Sequence, residues 1–506
     1  MKYTVKLTAL ILGLLMLMSV AVACTDGTTD ETDGASNNVS DVVDATTEKP
    51  VVTDKYSQEV IDKTDALENA DFEGATVNIL IRSAEQYRRE WYNEGELDAL
   101  ENEIHYRNLD VEEYLNVKLN YILNTKDDGK MNELIEQAGK GGTAQYDIIS
   151  NYAAPASNTN VLQYYLNFAN DQLVHVDLSK PYWNQNFIRD AKAFDRLFLC
   201  VGDANLSVYD RAMVVFYNKA KAEVYLSDVD LYQMVLDGEW TYDVFYDLAA
   251  NIHDDNGTTD EADDFYGVAS ILGSEFCDAF LYALGARLTE TYDDGKHRLV
   301  TESNYTRLSN AFSMTADFWA AEGTKKIDGS GNNYTFFTSG KALFDIDVIY
   351  HYESGNIMLR EMEDGFGIIP MPMYDEDQGQ YYAGVQDAHN AMSVMVHFKQ
   401  NYERTGAVLE CLHAFSYSSV RPYYIEKIVK GQFLDAKSNS VFNLILEGTC
   451  WDFSDVYNNA TGGIREKIWR SPLRKGYTSI EDTYIGNQET LDGNLETLDE
   501  WLQTHY

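Results

Sequence analysis

The sequence predicts an α/β protein of at least two lobes built on open parallel sheets. Two observations carry that expectation. Strand-like and helix-like periods alternate from residue 75 onward, the grammar of strands linked by crossover helices. The stretch from about residue 71 to the end of the 506-residue chain far exceeds the roughly 100–200 residues of one ordinary domain, and 45% hydrophobic residues can fill more than one core.

Taken in order, Ala75-Thr-Val-Asn-Ile-Leu-Ile81 is dense in β-branched residues and reads as a strand. Leu97, Leu100, Ile104, Val111 and Leu115 then recur at helical spacing, and Asn116 to Ile122 alternates apolar and polar residues as a second strand does. A short helical stretch from Met131 to Gly139 leads into Tyr146 to Ser150, a third strand. In such sheets ligands sit beyond the carboxyl ends of the strands, which places 82–92 and 151–155 beside any site. Further on, Thr241 is a suitable N-cap for a helix reaching Ile252, and Asp243 falls in its first turn, where the helix dipole favours a negative charge. Pro370 and Pro372, two of only seven prolines, force an extended crossover through Phe366 to Tyr374.

The amino terminus reads as a secretory signal. Lys2 and Lys6 precede the apolar run Leu7 to Val22, and small residues lead into Cys24. That run is short for a membrane span of about 20 residues, and no later uncharged segment approaches its length. Cys24 is placed as the acylated first residue of a bacterial lipoprotein, although Ala21 stands where the usual cleavage motif has Leu; a secreted protein with a chance cysteine is the other reading. Residues 1–23 are thus expected to be a signal peptide and 24–70 a disordered tether, rich in Thr, Asp, Ser, Asn and Glu, with no aromatic residue before Tyr56.

A net charge of −43 and the lack of any basic run argue against a nucleic-acid partner, whose backbone is bound by Lys and Arg clusters. Cys200, Cys277, Cys411 and Cys450 are far apart and show no metal or redox spacing; an extracellular compartment permits disulfides, and buried free thiols fit equally well. No nucleophile-elbow, zinc-helix or phosphate-loop motif is present, so catalysis has no support in the sequence.

Several stretches in order and spacing resemble the family 1, carbohydrate-type solute-binding lipoproteins of bacterial ABC transporters. They are Arg107-Asn108 with Val111-Glu112, Lys180-Pro-Tyr-Trp-Asn184, Val201-Gly-Asp203 with Phe216-Tyr-Asn-Lys219, Gly238-Glu-Trp-Thr241, Phe337 to Ala342, Pro370-Met-Pro372 with Tyr374-Asp-Glu376, and Tyr417 with Arg421-Pro-Tyr-Tyr424. The resemblance implies a type II periplasmic-binding-protein fold, two α/β lobes, each a mixed, mostly parallel sheet flanked by helices, joined by a hinge that closes on ligand. With it go the expected boundaries: lobe 1 from 71–205 and 366–420, lobe 2 from 206–365 and 421–506. It implies an oligosaccharide ligand, membrane permease partners, and tethering to the outer face of the cytoplasmic membrane; a peptide importer protein and a surface glycoside hydrolase or glycan-binding lipoprotein are the rivals.

A sugar site needs flat aromatic faces and groups that replace the water bonds of buried hydroxyls. Among 36 Tyr and 7 Trp, the candidates beside strand ends and crossovers are Tyr87, Trp91, Tyr152 and Trp183. Among 82 acidic residues they are Asp203, Asp345, Asp347 and Asp387. No cofactor is expected. The stretch from Asp254 through Asn256, Thr258 and Asp260 to Asp263 resembles a calcium loop but is one residue short of it, and an acidic surface turn is the competing reading.

Overall fold

The computed structural model describes residues 67, 70–93, 97–124, 130–142, 145–170, 172–261, 263–327, 333–350, 362–397, 399–430 and 436–505. The signal segment, Cys24 and nearly all of the expected tether lie outside them. Leu67 does not behave as tether: it is 2% exposed and packs in the hydrophobic core, so the fold begins earlier than residue 71. Among the described residues no helix is long and apolar enough to cross a membrane.

The first three strands, β1 (Ala75–Arg82), β2 (Val117–Asn124) and β3 (Ile148–Tyr152), pair in parallel with β1 in the middle. The helix Ala99–Leu115 between β1 and β2 is set at its start by a capping box, Asp98 accepting from the Glu101 N–H and Glu101 returning the bond, and is stopped by Asn116 at φ 48°. The helix Met131–Gly141 ends in the same way on left-handed Gly142. These are the alternations the sequence predicts.

Farther along come β4 (Met213–Asn218), β5 (His253–Asp254) and β6 (Phe265–Ser270), then a hairpin of β7 (Thr289–Thr291) and β8 (His297–Leu299). They are followed by β9 (Thr324–Lys326), β10 (Ala342–Val348) and β11 (Phe366–Pro370). Last are β12 (Ala383–Gly384), β13 (Asn390–Val394) and β14 (Thr449–Cys450), of which β12 and β14 form a separate parallel pair.

Two larger sheets result. The four-stranded one runs β13-β3-β1-β2, parallel except for β13. The six-stranded one runs β11-β4-β10-β6-β5, with β9 also on β6. There β4 is antiparallel to both neighbours, so this sheet is more mixed than expected. The reason is that β4 is entered from the other sheet, not through a crossover helix that would force it parallel. Its strands β4, β10 and β11 are buried along their whole length, as strands covered on both faces must be.

Two of the segments along which the chain passes between the sheets lie side by side. Cys200 and Met392 exchange both backbone bonds, Ala212 bridges Val385, and the Asn390 N–H donates to Ser207 Oγ at 3.0 Å. This geometry corrects the expected boundaries. Phe366 to Pro370 belongs to the six-stranded sheet, zipped to Asn218 through Val214, so the return crossover starts after Pro370. The helix Arg421–Lys430 still packs on Ala99–Leu115, while Ala436–Glu447 packs on β11, so the last change of lobe comes after residue 430.

Candidate functional site

The carboxyl ends of β1, β3 and β10 and both crossovers meet at one place. Arg82 ends β1 with its guanidinium carbon 3.3 Å from the Tyr87 ring centroid and 4.8 Å from that of Tyr152, and its Nη1 donates to the Ala388 carbonyl at 2.8 Å and to Asn390 Oδ1 at 3.3 Å. A strand-end arginine thereby holds two tyrosines against the return crossover. Tyr152, half-buried at the end of β3, donates through its hydroxyl to Asp387 Oδ1 at 3.4 Å. Burial, aided by the Asp387 charge, pushes that phenol up to about 12, so it stays a donor at physiological pH.

Asp387 is 26% exposed and its other oxygen takes Arg465 Nη2 at 3.1 Å. Arg465 is buried and also meets Asp278 at 3.2 Å and Asp455 at 3.1 Å, and Asp278 is shared with Arg470. Burial pushes the Asp455 carboxyl up to about 6 against the pull of Arg465.

Across from these groups, Arg211 precedes β4 and stands opposite the end of β10, where the Ile349 N–H donates to the Ala212 carbonyl. Its guanidinium carbon lies 4.3 Å from the Tyr350 ring and 5.4 Å from the Tyr87 ring. Its Nη2 donates to the Tyr87 hydroxyl at 3.1 Å and its Nη1 to Gln386 Oε1 at 3.2 Å. The Gln386 amide in turn donates to Glu275, whose carboxyl is held above the usual range by burial first and by Asp347 second. His389, buried beside this group and pushed down to about 4 by desolvation, is neutral: it accepts from Trp451 Nε1 at 3.0 Å and faces the Asn390 carbonyl with its other nitrogen. The assembly offers half-buried rings, fixed donors and one partly open carboxylate, the groups that bind a polyhydroxylated ligand.

Of the candidates named from sequence, Tyr87, Tyr152 and Asp387 come together here, and Asp347 borders them through Glu275. Asp345 sits two residues earlier on β10, buried opposite Phe216. Two expectations need correction. Trp91 and Trp183 are each 0% exposed and present no face to a ligand. Trp91 donates to Ser150 Oγ at 2.9 Å inside the first lobe, and Trp183 packs on the His413 ring at 4.1 Å while donating to Glu410 at 3.1 Å. Both indoles are held inward by partners distant in the chain, Ser150 and Glu410, which a place beside a strand end or crossover does not reveal. Asp203 is also apart from the cluster: it is buried, accepts from the Tyr209 hydroxyl, lies 3.9 Å from Arg421, and burial raises it to about 6.

In the 254–263 loop, Asp254 accepts from the Tyr225 hydroxyl, Asp255 from the Gly257 N–H, and Asp263 pairs with Lys341 at 3.1 Å. Among the described residues no three His, Cys, Asp or Glu side chains gather where a metal ion could sit. The four described cysteines are buried and form no disulfide with one another.

Arg82, Arg211, Gln386, Tyr350 and Arg465 were not singled out from sequence. Arg82 ends a strand, Tyr350 follows one and Arg211 precedes one, so strand ends signal them; Arg465, about eighty residues beyond Asp387, has no local signal at all.

Neither a protein-family model nor a curated protein matches the chain in sequence. Solved structures do match in fold. A family 1 extracellular solute-binding protein from Bifidobacterium longum subsp. infantis superposes with a TM-score of 0.53 at 14% identity, covering 84% of this chain and 99% of that one. An ABC transporter solute-binding protein from Thermotoga lettingae bound with α-D-tagatose gives 0.52 at 13% identity over 83% of this chain and all (100%) of that one. The galacto-N-biose/lacto-N-biose I-binding protein of an ABC transporter from Bifidobacterium longum gives 0.52 at 11% identity over 84% and 98%. The chain has the two-lobed α/β fold of these extracellular solute-binding proteins.

Proposed function

We propose that this chain is the ligand-capturing component of an ABC-type importer, that it binds an oligosaccharide between its two lobes, and that it hands the sugar to permease subunits in the membrane. One observation carries the reading: side chains from both sheets and both crossovers converge on Tyr87, Tyr152, Arg211, Tyr350 and Asp387. A ligand held there touches both lobes, and contacts to both favour a closed state over an open one. The fold shared with sugar-binding proteins supports a glycan, and the signal-like amino terminus supports a place outside the cell, tethered through Cys24.

The test is a thermal-shift screen of the chain from residue 24 against oligosaccharides, monosaccharides, peptides and amino acids. A ligand at 100 times its dissociation constant stabilises by about 2.7 kcal/mol. Oligosaccharides are expected to give the largest shifts, together with a smaller radius of gyration in solution scattering. A response to peptides alone overturns the sugar reading.

A further inference from the structure

We infer that the captured ligand carries an anionic group, a carboxylate or a sulfate borne on a sugar, and that Arg211 is the residue that holds it. The inference rests on the glycan reading above and narrows it.

Arg211 is 7% exposed, and a charge removed from water is costly unless an opposite charge or a full set of hydrogen bonds compensates it. Three other buried or half-buried arginines meet that demand with carboxylates: Arg465 with Asp278, Asp387 and Asp455, Arg470 with Asp278, Arg89 with Asp210. Arg211 does not. Its partners are a tyrosine hydroxyl, a glutamine carbonyl and two tyrosine rings, all neutral. No carboxylate among the described residues forms an ion pair with it, Glu275 being reached only through the Gln386 amide. Its Nε is buried and has no hydrogen-bond partner.

The position makes this deficit functional. Arg211 stands where the crossovers meet, its carbonyl accepting from the Gln386 N–H at 2.9 Å, with a ring of the first lobe and Tyr350 of the second against its guanidinium. Opening the lobes about the crossovers separates those rings and uncovers Nε. A neutral hydroxyl would satisfy Nε but leave the charge uncompensated, whereas a carboxylate or sulfate oxygen does both, and charge-assisted bonds are roughly twice as strong as neutral ones. The net charge of −43 does not forbid an anion, because at physiological salt the Debye length is about 8 Å and distant surface carboxylates are screened. Asp387, partly open nearby, remains an acceptor for the hydroxyls of the same sugar.

Titration calorimetry on the chain from residue 24 tests this with three probes: trigalacturonate for the carboxylate, a κ-carrageenan oligosaccharide for the sulfate, and galactotriose as the neutral counterpart. At least one acidic probe is expected to bind about tenfold or more tighter than galactotriose. Arg211→Gln should lower the affinity for the acidic probe at least tenfold more than that for galactotriose, and Arg211→Lys, which keeps the charge without the fork, should retain part of the preference; the far-ultraviolet dichroism of each variant checks folding. Whichever acidic probe responds identifies the group. Galactotriose binding as tightly as both acidic probes, or no binding of either acidic probe, overturns the inference while leaving the glycan reading standing if galactotriose binds. Citrate and an acidic peptide serve as non-sugar controls, and binding of either with none of the three sugars overturns the glycan reading and the sugar-borne anion with it.

Discussion

Arg465 and Arg211 are both buried guanidiniums near the crossovers, and the protein completes them in opposite ways. Arg465 faces three carboxylates, and with Arg470 it forms a closed charge cluster that ties the carboxy-terminal segment to Asp278 and to Asp387 of the return crossover. Arg211 is surrounded by neutral groups and keeps a donor unused. The first arrangement is finished without a ligand and belongs to the architecture. The second is finished only by something that enters, and the contrast separates structural charge from binding charge better than burial does.

The largest expected effect breaks the finished side. Arg465→Met leaves Asp278, Asp387 and Asp455 facing Arg470 alone, and removing one partner of a buried charge cluster costs about 3–5 kcal/mol. Urea unfolding should show a loss of that size; a loss under about 1 kcal/mol would mean that the cluster is solvated in solution. A comparable loss, about 3–5 kcal/mol, is expected for Trp183→Ala, which opens a cavity and removes one of the donors to Glu410. Its affinity for any ligand should not change, in contrast to Tyr152→Ala, where affinity falls several-fold with little loss of stability. A Trp183→Ala protein of normal stability that no longer binds would reverse that assignment.

Acidity sharpens the comparison further. Asp455 is raised from an ordinary value near 3.8 to about 6, so the folded state holds its proton more tightly than the unfolded chain does. Stability contributed by this group is therefore full below about pH 4 and is lost as pH rises to about 6, by at most about 1.4 kcal/mol per pH unit. Asp455→Asn should flatten the stability profile over that window; an unchanged profile would place the titration elsewhere, for instance at Asp203, which is raised to the same value. The smallest expected effect is on the unfinished side: Arg211→Gln should move unfolding stability by no more than about 1 kcal/mol, because no ion pair is lost.

How far these features were legible in sequence depended on whether the signal was local. Helix and strand periods from Ala75 to Tyr152 and the helix after Thr241 appear where expected, because period and capping act over a few residues, whereas Phe366–Pro370 of the expected crossover is strand β11. A place beside a strand end or a crossover singled out Tyr87, Tyr152 and Asp387, which the structure brings together. The same criterion misplaced Trp91 and Trp183, since which face of a loop turns inward is decided by partners such as Ser150 and Glu410, distant in the chain. The edge of the second lobe was missed because β11 joins β4 across about 150 residues, and Arg465 could not have been paired with Asp387 by any pattern.

The most direct test is a crystal structure of the complex with the tightest saccharide from the screen. A ligand oxygen is expected within about 3.2 Å of Arg211 Nε, with the sugar against Tyr152 and its hydroxyls on Asp387. A saccharide bound elsewhere, with Arg211 still enclosed by Tyr87, Tyr350 and Gln386 and its Nε still unpaired, would contradict both the site and the role assigned to this arginine.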